Sequence, residues 1–91
     1  MLTLIIYDIT EDEVRNRVAD FLRNKGLKRI QKSAFLGDLN NSQKSDIEAG
    51  LRRLVKDAKA NVQIYPLTPA SYNLRVVIGV ELDYDEGGFV V

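Results

Sequence analysis

The segment Leu2-Thr3-Leu4-Ile5-Ile6-Tyr7-Asp8-Ile9-Thr10 constrains the chain more than any other, because it is apolar on both sides of an extended strand. Successive side chains of a strand point to opposite faces. Leu2, Leu4 and Ile6 therefore share one face, and Ile5, Tyr7 and Ile9 the other. Such a run, followed at once by helix-start residues, reads as a strand in the middle of a sheet. Asp8 then stands near that strand's carboxyl end, where α/β proteins often keep their chemistry. Two readings of it stand: a carboxylate at a sheet edge or subunit cleft within reach of a cation or phosphate, and an Asp that satisfies backbone N–H groups in a turn.

What such a strand can be buried in is set by length. Ninety-one residues, 45% of them apolar, make one domain over 1–91 with a thin core. The chain has no cysteine and no histidine. That excludes a disulfide framework, a thiol nucleophile and a thiolate zinc site, and removes the usual general base. Catalysis is left to carboxylates, hydroxyls, amines or a bound hard cation. There is no charged-then-apolar leader, and no apolar run approaches the roughly 18 residues that a membrane span needs. A cytoplasmic protein without membrane contact is expected.

The net charge of zero hides a partition along the chain. Asp8, Glu11, Asp12 and Glu13 form an acidic stretch, and Glu81, Asp83, Asp85 and Glu86 an acidic tail. Between Val14 and Lys59 there are twelve Lys or Arg against five Asp or Glu. That surplus of seven suits phosphate binding, and it equally suits solvated helix exteriors.

Thr10-Glu11-Asp12-Glu13 has the spacing of a capping box, with three acids that favour a helix N-terminus. The helix that follows places Val14, Val18, Phe21 and Leu22 on one stripe, extended by the stem of Lys25, and Gly26 closes it with a left-handed cap. Residues 27–36 are extended, and their mixed faces with several lysines fit an edge strand. A second box, Asn40 with Gln43, opens a helix whose apolar face is Ile47, Leu51, Leu54, Val55 and Ala58, weakened slightly by Gly50. Val62-Gln63-Ile64-Tyr65 is a short strand stopped by Pro66, residues 67–73 a loop, and residues 74–82 a last regular strand. Gly87-Gly88 hinges a final Phe89-Val90-Val91, so that 83–91 forms a C-terminal tail.

This order fits an α+β ferredoxin-like sandwich, an antiparallel sheet with two helices on one face, provided that residues 26–39 contain a hairpin. Residues 33–39 are expected to return against 26–31. Two helices cover only one sheet face. With Ile5, Tyr7 and Ile9 needing cover, the chain is expected to homodimerise through the open face, its Gly-Gly-Phe-Val-Val tail adding to the partner's edge.

I-I-Y-D-I-T at 5–10, R-N-R-V-A-D-F-L at 15–22, G-L-K-R-I-Q-K-S-A-F-L-G at 26–37 and Q-I-Y-P-L at 63–67 together resemble the CRISPR-associated Cas-two family over nearly the whole length. The resemblance implies a ferredoxin-like homodimer in which Asp8 faces its twin near the dimer axis, across a cleft that holds a divalent metal. It implies a metal-dependent endonuclease on RNA or duplex DNA, or a scaffold that joins integrase dimers of the Cas-one family during spacer acquisition. Tyr7, Arg15, Arg17, Arg29, Ser33 and Phe35 match family positions around the cleft or its basic flank, whereas Lys32 and Ala34 depart from the family pattern.

Those roles agree with elementary chemistry. Mg2+, or another divalent cation such as Mn2+, accepts one or two carboxylates and keeps its waters, so two symmetry-related Asp8 groups suffice without histidine. Arg15, Arg17 and Arg29 are suited to phosphate oxygens, Ser33 can donate to one, and Tyr7 and Phe35 can stack a base or pack. Two functions follow: a phosphodiesterase that depends on Asp8, and a non-catalytic dimeric scaffold that binds duplex DNA and bridges integrase dimers without needing it.

Overall fold

The computed structural model describes residues 1–83 and 88–90. β1 (Leu2–Ile9), α1 (Asp12–Asn24), β2 (Lys28–Gln31), β3 (Ala34–Asp38), α2 (Asn41–Leu54) and β4 (Ala60–Leu67) follow in order. A short helix α3 (Pro69–Asn73) and a small sheet of β5 (Glu81–Asp83) with β6 (Gly88–Val90) come after them. The main sheet has the order β2-β3-β1-β4 with every neighbouring pair antiparallel. This is the ferredoxin-like arrangement, with β1 inside the sheet as its apolar sequence requires.

The expected hairpin is present. β2 and β3 join through Lys32 and Ser33, with Gln31 opposite Ala34 and an irregularity between Arg29 and Gln31. β2 is an edge strand, as its lysines suggested.

Ile5, Tyr7 and Ile9 pack with Val18, Ala19, Leu22, Leu27, Phe35, Leu39, Ile47 and Leu51 in one core between sheet and helices. This corrects the expected use of the two faces of β1. Ile5, Tyr7 and Ile9 are covered within the chain, and Leu2, Leu4 and Ile6 line the open face, half-buried.

Capping chemistry explains where the helices stop. The N–H of Leu27 donates to the carbonyl of Leu22, and that of Gly26 to the carbonyl of Arg23, with Gly26 at φ +89°. This is the paired Schellman arrangement, and both Leu22 and Leu27 are core residues. Asn40 and Gln43 form the predicted box reciprocally, at 2.7 and 2.9 Å. The Thr10 box does not form. Glu11 is the N-cap of α1 without a side-chain bond, the Thr10 N–H donates to the Lys59 carbonyl, and Glu13 pairs with Arg17.

Gly50 does more than weaken α2. A Cβ there would lie 2.2 Å from Cζ of Phe21, so its absence lets the α1 ring reach the facing helix. Gly50→Ala gains helix propensity but displaces that ring. The expected net result is a loss of about 1–3 kcal/mol, as overpacking a filled contact costs, read by urea denaturation.

Three readings of the C-terminal third are corrected. β4 continues through Pro66 to Leu67, because β4 is an edge of the main sheet and tolerates a missing donor there. Residues 67–73 include α3, capped by Thr68, whose hydroxyl accepts from the Ser71 N–H. Residues 74–80 are irregular rather than a strand, and they expose Leu74, Val76, Val77, Ile78 and Val80. Gly87, the acids Asp85 and Glu86, and Val91 lie outside the described residues. No helix among the described residues is long and apolar enough to cross a membrane.

Candidate functional site

Alternation along β1 decides which side each candidate occupies. Asp8 points to the open face and is exposed, while Tyr7 and Ile9 on either side of it point into the helical layer and are buried. Directly opposite Asp8 on β4 stands Asn61. Ile6 faces Gln63 and Leu4 faces Tyr65 in the same register, so β4 presents a polar row beside an apolar one that ends in the carboxylate. The row is internally bonded: the Tyr65 hydroxyl donates to Oε1 of Gln63, and Nε2 of Gln63 donates to Oδ1 of Asn61 at 2.9 Å. Nothing in the residue types alone marked these three, because their meaning comes from the pairing register.

The remaining candidates collect on the other side of the sheet. The Tyr7 and Phe35 rings stack with centroids 6.3 Å apart, Phe35 is fully buried, and the Arg29 guanidinium lies 5.6 Å from its ring. Both aromatics are core residues, so of the two roles open to them they pack. Nε and Nη2 of Arg29 donate to the Lys32 carbonyl at 3.0 and 2.6 Å, closing the hairpin turn. Ser33 sits in that turn, and its carbonyl accepts from the Tyr7 N–H at 3.0 Å. The Tyr7 hydroxyl is buried without a well-formed hydrogen bond. Burial pushes its pKa above the ordinary phenol value, against the opposing pull of Arg29 first, then of Arg15 and Arg23.

On α1, Nη1 of Arg15 donates to the Ile9 carbonyl at 3.0 Å and Nη2 pairs with Asp12, which ties the helix start to the turn after Asp8. Arg17 pairs with Glu13, and Arg23 with Asp20 at 3.2 Å. Exposed pairs of this kind contribute about 0–1 kcal/mol each, so a phosphate can displace the acid at little cost. Asp8 and the arginines of α1 are thus presented on different faces of one chain.

The donor set is sparse. No group of three or more Asp, Glu, His or Cys gathers among the described residues. One exposed carboxylate per chain is too little for zinc and is compatible with magnesium, which keeps most of its own waters.

A single ferredoxin-like domain with a strand-end carboxylate on its open face and basic residues on its helices defines a small α+β class. The match to known families is specific: the family model of CRISPR associated protein Cas2 covers residues 1–74, and the chain belongs to that family. It is 42% identical over 79 residues to CRISPR-associated endoribonuclease Cas2 2 of Pyrobaculum aerophilum, covering 87% of each chain. A Cas1/Cas2 endonuclease fusion of Thermoproteus tenax is 43% identical over 65 residues, which are 71% of this chain and 25% of the fusion. The crystal structure of Streptococcus pyogenes Cas2 superposes with a TM-score of 0.74 at 20% identity, covering 87% of this chain and 100% of that one, which shows the shared fold.

Proposed function

We propose that the chain is a divalent-cation-dependent endonuclease, a phosphodiesterase on RNA or duplex DNA that acts in spacer acquisition. The observation that carries this reading is an exposed carboxylate at the end of an inner strand, on a sheet face that the chain's own helices do not cover. The endoribonuclease names of the relatives support it.

In this reading Asp8 holds magnesium or manganese, with the Asp8 of a second copy as the other protein ligand. Bound there, the cation supplies an activated water and neutralises charge on the scissile phosphate. The chain's own residues do the rest. Away from Asp8, on the helical face, Arg17 and Arg23 can exchange their acid partners for phosphate oxygens further along the nucleic acid. Arg15 holds the Ile9 carbonyl, and with it the strand end that carries Asp8.

In this reading the chain is a homodimer, which is supported by the open face, where Leu2, Leu4, Ile6 and Leu36 are only half-buried, and by the exposed apolar residues of 74–80. Sedimentation at micromolar concentration is expected to give a dimer. A monomer there contradicts the proposed shared site.

A second reading, a non-catalytic scaffold that binds duplex DNA and an integrase of the Cas-one family, is favoured by the sparse donor set and by the existence of a fused relative. Cleavage of defined RNA and duplex DNA by wild type and Asp8→Asn, with and without magnesium, separates the two. Under either reading binding is electrostatic, so log K falls steeply and linearly with log salt and is indifferent to sequence. A flat salt dependence or a strong sequence preference in a filter-binding series contradicts this.

A further inference from the structure

We infer that Asn61 is a positioning residue for Asp8, and that the chain Tyr65–Gln63–Asn61 fixes which way its amide points; this rests on Asp8 being a cation ligand. Side chains two apart on a strand share a face and stand about 6.5–7 Å apart, a gap that neighbouring Asn, Gln and Tyr side chains can bridge. The three residues 61, 63 and 65 do so in one direction. The Tyr65 hydroxyl can donate one proton, and it gives it to Oε1 of Gln63. With that oxygen engaged, Gln63 turns its Nε2 to Oδ1 of Asn61, at 2.9 Å.

An amide has its donor and its acceptor on opposite arms. Once Oδ1 of Asn61 is taken by Gln63, Nδ2 is the arm left for another partner. The residue directly across the strand pair from Asn61 is Asp8. Opposed residues of an antiparallel pair hold their Cβ atoms about 4.5–5.5 Å apart, within reach of an amide and a carboxylate. The chain of donors therefore ends on the residue paired with Asp8, the acid of β1, and leaves it an N–H that can turn to that carboxylate.

That placement has a use. A carboxylate that binds a cation through one oxygen is held by a donor on the other, and such partners orient the ligand without touching the ion. Asn61 would do this for Asp8 at a place where no group of three or more acids gathers among the described residues.

The test uses Mn2+ as the probe, its free fraction read by electron paramagnetic resonance, on wild type, Asp8→Asn, Asn61→Ala and Gln63→Glu. All three positions are exposed, so the variants fold, and melting curves verify it. Asp8→Asn is expected to lose the ion. Asn61→Ala is expected to weaken Mn2+ binding about tenfold, the lower end of what the loss of such a partner costs. Gln63→Glu is the discriminating variant. Its carboxylate still accepts from Tyr65 but cannot donate to Asn61, so the Asn61 amide flips and presents oxygen to Asp8. The added negative charge by itself attracts a cation, so a weaker affinity in a Gln63→Glu variant that sediments as wild type does comes from lost orientation. Affinity equal to or tighter than wild type in Asn61→Ala or Gln63→Glu, with Asp8→Asn unable to bind, refutes the ladder alone. If Asp8→Asn binds Mn2+ as wild type does, the reading of Asp8 itself fails and this inference falls with it.

Discussion

Asp8→Asn is expected to leave the melting transition unchanged and to abolish magnesium-dependent cleavage. Structure and chemistry make separable demands on this side chain. Asp8 is exposed on the open face of β1, where a substitution of the same shape typically changes stability by less than about 0.5 kcal/mol. Asn keeps that shape but lacks the charge that holds a hard divalent cation. The proposed site has one such carboxylate per chain, and no group of three or more ligating residues gathers among the described residues to replace it. The drop in rate should exceed about a hundredfold, the upper end of what losing an outer partner of a metal ligand costs. Residual cutting that is equal in wild type and Asp8→Asn, and insensitive to chelator, would return Asp8 to the role of a turn residue. If neither protein cuts purified substrate while both support integrase-dependent spacer insertion, the scaffold reading replaces the nuclease one.

How far the sequence carries such a reading differs from element to element. Gly26 and the Asn40–Gln43 pair announced two helix boundaries, because caps are local chemistry and need no partner. The β2–β3 hairpin was legible from the demand that the sheet be completed. The faces of β1 were not. Leu2, Leu4 and Ile6 are as apolar as Ile5, Tyr7 and Ile9, and only the packing of Val18, Leu22, Ile47 and Leu51 decides which set is covered. Residues 74–80 have the composition of a strand and make none, since strand propensity expresses a fit to neighbours that they lack here. Thr10 lost its cap to competition: Glu13 takes Arg17, and the Thr10 N–H takes the Lys59 carbonyl. Of the proposed site, Asp8 could be named from its place at a strand end. Asn61 could not, because its importance lies in being opposite Asp8.

Phe35→Ala is expected to cost about 3–5 kcal/mol, a large part of the stability of a 91-residue domain, because the ring is fully buried against Tyr7 and Arg29. A fall in nucleic-acid binding by this variant then follows unfolding, and the two midpoints in urea should move together. Tyr7→Phe separates packing from polarity at the neighbouring ring. It keeps the stack and removes a buried hydroxyl that has no well-formed hydrogen bond, so stability is expected to stay level or rise by about 1 kcal/mol. Alkali gives the sharper comparison. Burial raises the Tyr7 pKa above 10.0, so the unfolded chain releases this proton first. The contribution is fully present below pH 10 and is lost as pH climbs through the higher folded value. Tyr7→Phe has no such proton to lose, and the difference in stability between it and wild type should widen in its favour above pH 10. A constant difference across that range would mean that the hydroxyl ionises as freely in the folded protein as in the unfolded chain, the pull of Arg29, Arg15 and Arg23 then offsetting its burial.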